Sequence, residues 1–84
     1  MASPDPFPAM SMAEAKRRLG ACFGKGAVSW DRPFGPVCIQ FPSANGWTHT
    51  RQFTWRQAKY LAAARPTARE SIISGHYPVD WPTD

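Results

Sequence analysis

Residues 54–78 read TWRQAKYLAAARPTARESIISGHYP, and they carry the signals that decide the C-terminal half of the fold. Thr54 and Gln57 have the spacing of a capping box, in which each side chain satisfies a backbone N–H group at the start of a helix. Apolar residues then recur at helical spacing as far as Pro66, whose ring and missing N–H end the helix. The sequence therefore predicts a helix from Thr54 to about Ala64.

A second, shorter helix is predicted directly after this proline. Thr67 and Glu70 repeat the capping-box spacing, and Ile72 is placed to pack inward. Gly75 supplies a stop signal, so the helix should end at about Ser74. On the first of the two helices, Arg56 and Lys59 fall on the side opposite the apolar stripe and are expected to face solvent.

The helix pair resembles the helix-turn-helix of excisionase and MerR-type regulators. The features shared with that family are Thr54, Ala58, Leu61, Thr67, Ile72, Ser74-Gly75 and Pro78. The resemblance implies that the second helix enters the major groove of DNA. It would place Arg65, Arg69 and His76 near phosphates or base edges. The match covers less than a third of the chain.

Three strands are predicted before the helix pair. The candidates are Ala27–Asp31, Val37–Phe41 and Trp47–Phe53, and the second alternates apolar and less apolar residues as a half-buried strand does. Asn45-Gly46 between the last two is a strong hairpin signal, because both residue types tolerate a positive φ. These segments should form a two- or three-stranded antiparallel sheet.

The N-terminal part predicts one more helix and an arm. Ser11 and Glu14 form a capping box for a helix from Met12 to Phe23, which Gly24 should stop. Residues 1–10 contain three prolines and are predicted to be an extended arm, held by Phe7 or by a neighbouring chain. The expected fold is therefore a single α+β domain over residues 11–84, with the order α-β-β-β-α-α.

The composition argues against catalysis. The six acidic residues are scattered over a chain of 84 residues. His49 is expected to be exposed or paired across the strands, and His76 follows a helix stop, where a cation is favourable. Cys22 and Cys38 lack metal-ligand spacing with the histidines, so we expect no metal and no cofactor. The two cysteines are expected to be reduced and packed, with a bridge between them as the alternative. The chain is expected to be cytoplasmic, because it shows no signal peptide and no transmembrane segment.

Aromatic and basic residues point instead to a binding protein. The chain has four tryptophans and a net charge of +4, and arginine and tryptophan dominate binding hot spots. Because large aliphatic residues are few, Trp30 and Trp47 are expected to belong to the core, and Trp81 is expected to fold back onto the body. The predicted partner contacts are Arg17, Arg18, Arg56, Lys59, Arg65 and Arg69.

Two functions remain open at this point. One is a non-catalytic protein that blocks a larger protein or nucleoprotein complex by occupying its surface. Small domains of this kind are frequent among phage and mobile-element proteins, including anti-CRISPR proteins that inhibit host defence. The alternative is a DNA-binding protein that uses the helix-turn-helix of residues 54–78.

Overall fold

The computed structural model describes residues 4–42 and 45–83 of the chain. The predicted order α-β-β-β-α-α is confirmed within these ranges. The elements are α1 (Met12–Phe23), β1 (Val28–Ser29), β2 (Val37–Pro42), β3 (Thr48–Phe53), α2 (Trp55–Ala63) and α3 (Pro66–Ile73). Residues 1–3 of the predicted arm, residues 43–44 of the predicted hairpin and residue 84 lie outside the description.

The three strands form one antiparallel sheet in the order β1-β2-β3. Val28 of β1 lies opposite Ile39 of β2, and Val37 at the start of β2 lies opposite Phe53 at the end of β3. All four of these side chains are buried, whereas Gln40 and Gln52 on the other face of the sheet are exposed. The sheet therefore buries one face and presents a polar face to solvent, as the alternation predicts.

Helices cover the buried face of the sheet. The α1 helix packs mainly against α2 and also contacts β1 and β2. Side chains from both helices and from α3 join the strands in a single hydrophobic core. Its members are Ala15, Leu19, Val28, Val37, Ile39, Phe53, Ala58, Leu61, Ala62 and Ile72. Alanines at the helix positions allow the backbones to approach closely in this small core.

The two long helices have the predicted boundaries but different caps. In α2, the Thr54 side chain accepts from the Gln57 N–H and the Gln57 side chain accepts from the Thr54 N–H, so the capping box is complete. In α1, Ser11 accepts a hydrogen bond from the Glu14 N–H at 3.1 Å. The Glu14 carboxylate instead pairs with two arginines one turn along, so the capping box predicted there is only half formed.

The start of α3 differs from the prediction. The helix begins at Pro66 rather than at Thr67, and its N-cap is Arg65, which makes no side-chain capping bond. Proline suits the first helical position, because its φ is already helical and the N–H it lacks would have no partner inside the helix. The capping box expected from Thr67 and Glu70 is therefore wrong. Pro66 both separates α2 from α3 and starts α3.

The first and third strands are shorter than predicted, whereas β2 is one residue longer. The first strand is limited to two residues, because the prolines and the tight turn that follow cannot continue the pairing. Between β2 and β3, Gly46 has a φ of 84°, a conformation that glycine adopts readily. The antiparallel pairing predicted for the two strands is present.

The tryptophans divide between core and surface. Trp30 is half-buried against the hydrophobic core, and Trp81 also packs against it, as expected from the sequence. Trp47, however, is 71% exposed beside the turn between β2 and β3, so its assignment to the core is wrong. Its backbone N–H donates to the Asn45 side chain, which directs the backbone through the turn.

Candidate interaction surfaces

The α2 helix does not present its charged side to solvent. Lys59 is 4% exposed, and its Nζ lies 2.6 Å from a carboxylate oxygen of Asp5 in the N-terminal arm. The same Nζ lies 3.4 Å from the Phe7 carbonyl oxygen. The expectation that Lys59 faces solvent is therefore wrong, because the arm crosses α2 and covers it.

Contacts around Asp5 hold the arm in place. Burial raises the pKa of the Asp5 carboxyl, but the hydrogen bonds from Lys59 and from the Phe7 N–H outweigh this effect and bring its pKa below the usual range. Phe7 itself packs edge-on against Tyr60, with ring centroids 5.9 Å apart. The arm is thus attached to α2 by an ion pair and an aromatic contact at adjacent positions.

The C-terminal tail covers the same side of α2. Trp81 meets the Tyr60 ring edge-on at 5.5 Å, and the Gln57 side-chain amide donates to the Pro82 carbonyl at 2.7 Å. The Tyr60 hydroxyl donates to the Asp80 carboxylate at 2.6 Å. This hydrogen bond, together with burial, raises the pKa of Tyr60 to about 12, because ionisation would place a phenolate against a carboxylate.

Arg69 closes the junction between α2 and α3. Its guanidinium donates to the carbonyls of Leu61 and Ala64 at 3.2 and 2.6 Å. The Leu61 carbonyl lies in the last turn of α2 and also accepts from the Ala64 N–H, whereas Ala64 is the C-cap residue, whose carbonyl lies beyond the helical ladder. Arg69 therefore acts as a C-terminal cap, while Arg65 at the start of α3 is exposed. The two arginines predicted to share a DNA-binding surface lie in different environments.

Arg51 caps the C-terminal end of α3 in the same way, although it was not among the predicted contact residues. Its guanidinium donates to the carbonyls of Ile72 and Ile73 and to the Tyr77 hydroxyl. It also lies 5.1 Å from the centre of the Phe53 ring, within the range of a cation–π contact. Arg51 lies two residues before Phe53 in β3, so strand alternation places both side chains on the same face of the sheet. An arginine on the apolar face of a strand was the signal available in the sequence.

The remaining predicted contact on α2 is stacked on an aromatic ring. The guanidinium of Arg56 lies 4.4 Å from the centre of the Trp55 ring. Phe34, from the turn before β2, meets the same indole edge-on at 5.1 Å. Phe34 is largely exposed, so this corner of the molecule is an aromatic and cationic surface rather than a purely basic one.

The basic residues of α1, in contrast, remain at the surface. Arg17 and Arg18 both pair with Glu14, at 2.6 and 3.0 Å, yet 69% of the Arg17 side chain is exposed. Hydrogen bonds from the two arginines lower the pKa of Glu14 to about 2. Such exposed pairs contribute little to stability, because solvent screens them. They leave most of the Arg17 side chain available to a partner.

A groove of about 660 Å³, which we call the α1 groove, runs between α1 and β1. Its lining combines small apolar residues with three basic ones. The lining residues are Ala13, Lys16, Arg17, Gly20, Ala21, Lys25 and Val28. A shallower hollow of about 350 Å³ adjoins it, because both are lined by Ala13 and Lys16. Trp30 and Arg32 line that hollow.

We refer to Lys16, Arg17, Lys25 and Arg32 together as the basic α1 face. Each of the four is exposed, and each lines the groove or the hollow beside it. Of these four, the sequence prediction included only Arg17. The signal for Lys16 was its spacing of three and four residues from Ala13 and Gly20, which places a cation beside small residues on one side of a helix. Lys25 and Arg32 lie after the helix and reach this face through the fold.

The described ranges 4–42 and 45–83 also bear on metal binding, membrane insertion and the state of the cysteines. These residues contain no cluster of histidine, cysteine or acidic side chains that could hold a metal ion, and no helix long and apolar enough to cross a membrane. Cys22 and Cys38 are free thiols, the first exposed and the second half-buried, so the two are not bridged.

Comparison of the chain with protein-family models, with curated proteins and with solved structures found no match. Two surfaces of the molecule therefore bear on its function. These are the covered side of α2, where the arm and the tail lie, and the open basic α1 face.

Proposed function

We propose that this protein is a non-catalytic binding protein that acts by occupying the surface of a larger partner through the basic α1 face. The observation that supports this proposal most directly is the α1 groove, where exposed cations surround small apolar residues. Cations around an apolar strip favour a partner that is acidic and also has a surface to bury. The partner would be blocked sterically.

A nucleoprotein complex suits such a surface, since it presents both phosphates and acidic protein segments. We therefore propose more specifically that the chain is a phage or mobile-element inhibitor of a nucleic-acid-targeting defence complex, acting in the cytoplasm in the manner of anti-CRISPR proteins. The basis is the combination of small size, net charge of +4 and the open basic α1 face. Electrostatic attraction would raise the association rate with the complex.

The experiment measures binding of the purified chain to candidate defence complexes and, separately, to a random DNA duplex. Lys16→Glu reverses a charge on the basic α1 face, and Arg65→Glu reverses one at the exposed start of α3. We expect Lys16→Glu to weaken binding to the complex by about tenfold, which corresponds to about 1.4 kcal/mol, while Arg65→Glu leaves it unchanged. The two variants carry the same change in net charge and control for each other.

Equal affinity of wild type and Lys16→Glu for the complex would contradict the proposal. So would binding to the random duplex alone with a steep dependence on salt, since that behaviour belongs to contacts with phosphates. The second candidate function, DNA binding through residues 54–78, is supported by the exposure of Arg65 and His76 at opposite ends of α3. It makes the reverse forecast, in which Arg65→Glu loses duplex affinity and Lys16→Glu does not.

A further inference from the structure

The outer edge of β1 faces the α1 groove. β1 is at one end of the sheet, with β2 as its pairing strand. The Gln40 N–H donates to the Ala27 carbonyl at 2.8 Å, which makes residues 27 and 40 a hydrogen-bonded pair. Hydrogen-bonded and non-bonded pairs alternate along an antiparallel ladder, so Val28 and Ile39 form a non-bonded pair. The N–H and C=O of Val28 therefore point away from β2.

The groove begins at this same residue. Val28 lines the α1 groove together with small residues of α1, so the outward-pointing backbone of β1 and the groove adjoin each other. A strand added beside β1 would place alternate side chains toward α1, where Gly20 and Ala21 leave room for them. An extra Cβ built on Gly20 meets no atom within 4 Å, which confirms that the space beside this residue is open.

We propose that the α1 groove binds an extended acidic segment of the partner protein, which adds as a strand to the outer edge of β1. This inference rests on the proposed function and specifies the chemistry of the partner. Backbone hydrogen bonds to Val28 give the segment its position, and its small or branched side chains enter the groove. Its carboxylates face Lys16, Arg17 and Lys25, which line the groove.

A protein segment fits these features better than nucleic acid does. Phosphates would satisfy the three cations, but they would leave the apolar floor and the outward backbone groups of Val28 without a matching contact. An acidic helix would cover the floor and pair with the cations, yet a helix has already used its own N–H and C=O groups. An extended chain is the partner that meets the apolar floor, the cations and the strand edge together.

The probe for the experiment is a library of random dodecapeptides displayed on phage and selected against the immobilised full chain. We expect the enriched peptides to contain several aspartate or glutamate residues that alternate with apolar ones. The most enriched peptide is then synthesised and its affinity measured for wild type and variants. Ala21→Trp fills the groove without changing charge and should weaken binding at least tenfold, whereas Arg65→Glu should retain it.

Hydrogen exchange of the backbone amides tests the strand addition itself. With the peptide bound, the Val28 amide should exchange at least tenfold more slowly, because it gains a hydrogen-bond partner. The Ser29 amide, which points toward β2 in the same ladder, serves as the internal control and should change much less. Enrichment of non-acidic peptides, or unchanged exchange at Val28 in the bound state, would overturn the inference.

The two proposals fail in distinguishable ways. If an acidic peptide binds in the α1 groove and exchange at Val28 stays unchanged, the strand addition is wrong while the proposed use of the basic α1 face stands. If Lys16→Glu binds the complete partner as tightly as wild type does, the proposed function is wrong whatever the peptide does. Wild type and Lys16→Glu are therefore compared in both assays.

Discussion

Two helices of this protein carry basic residues on the side away from the core, but the rest of the chain covers this side on α2 and leaves it open on α1. On α1, Lys16 and Arg17 remain exposed beside a groove. On α2, Lys59 is buried under the N-terminal arm, and the adjacent Tyr60 contacts both the arm and the tail. A charged helix side is thus an interaction surface only where the rest of the chain leaves it uncovered.

The physical cause of the difference lies in the chain termini. Both terminal segments contain prolines, which disfavour helices and strands, and both contain an aromatic residue that needs a place to pack. Phe7 and Trp81 find that place on Tyr60. The acidic residues Asp5 and Asp80 then meet the polar atoms of α2, so the side of α2 that seemed available for a partner is used within the molecule.

The largest expected effect comes from reversing the charge of the buried lysine. Lys59→Glu places a carboxylate against Asp5 at a buried position, and we expect it to destabilise the protein by about 3–5 kcal/mol. The measurement is the free energy of unfolding from urea denaturation. The matched control is Lys16→Glu on α1, which should change stability by less than about 0.5 kcal/mol because Lys16 is exposed.

The double variant Asp5→Lys with Lys59→Glu restores opposite charges and should recover part of the lost stability. Equal losses for Lys59→Glu and Lys16→Glu would remove the distinction between the two helices. Such a result would mean that the contact of Lys59 with the arm contributes no more to the free energy of unfolding than an exposed lysine does.

A smaller loss is expected from removing the arginine that caps α2. Arg69→Ala leaves the carbonyls of Leu61 and Ala64 without this donor, and hydrogen bonds to charged groups contribute about 1.5–3 kcal/mol. Arg65→Ala, four residues earlier and exposed, should cost less than about 0.5 kcal/mol. Thermal or urea unfolding of both variants measures the difference.

Arg69→Ala and Arg65→Ala also test the DNA-binding alternative. If Arg69 served mainly to contact a duplex, Arg69→Ala would reduce duplex affinity while leaving the unfolding free energy unchanged. If Arg69→Ala instead lowers the unfolding free energy more than Arg65→Ala does, Arg69 acts in the junction of α2 and α3.

The smallest effect is a gain in stability on the open side of α1. Gly20 lies inside the helix with nothing within 4 Å of an added Cβ, so Gly20→Ala should stabilise the protein by about 0.5–1 kcal/mol. Gly24→Ala is the contrasting control, since Gly24 has a φ of 111° and any Cβ there is strained. A loss of stability for Gly20→Ala would show that the side of α1 next to the groove is more crowded than its geometry indicates.

Much of the fold could be predicted because its signals are local. Ser11 and Gly24 mark the ends of α1, and Thr54 and Gln57 mark the start of α2, since caps depend on a few neighbouring residues. Alternation placed the buried face of β2 correctly for the same reason. The start of α3 was missed because a proline at the first helical position and a capping box one residue later are competing local signals, and the proline prevailed.

The candidate site could be predicted only in part. Arg17, a predicted contact residue, is exposed, but Lys59 and Arg69, which were also predicted to contact a partner, make contacts within the protein. Lys59 pairs with Asp5, which lies 54 positions away in the sequence. Arg69 bonds to the Leu61 carbonyl at the end of another helix. Local periodicity shows which side of a helix avoids the core, but it does not show what else covers that side.

The sequence by itself determined the order of helices and strands, most of their boundaries and the apolar faces that form the core. These features follow from backbone preferences and from spacing along one element. Only the tertiary structure decided which basic residues remain available to a partner. That outcome depends on where the arm and the tail pack, and their packing joins residues that are distant in sequence through contacts that no single segment can specify.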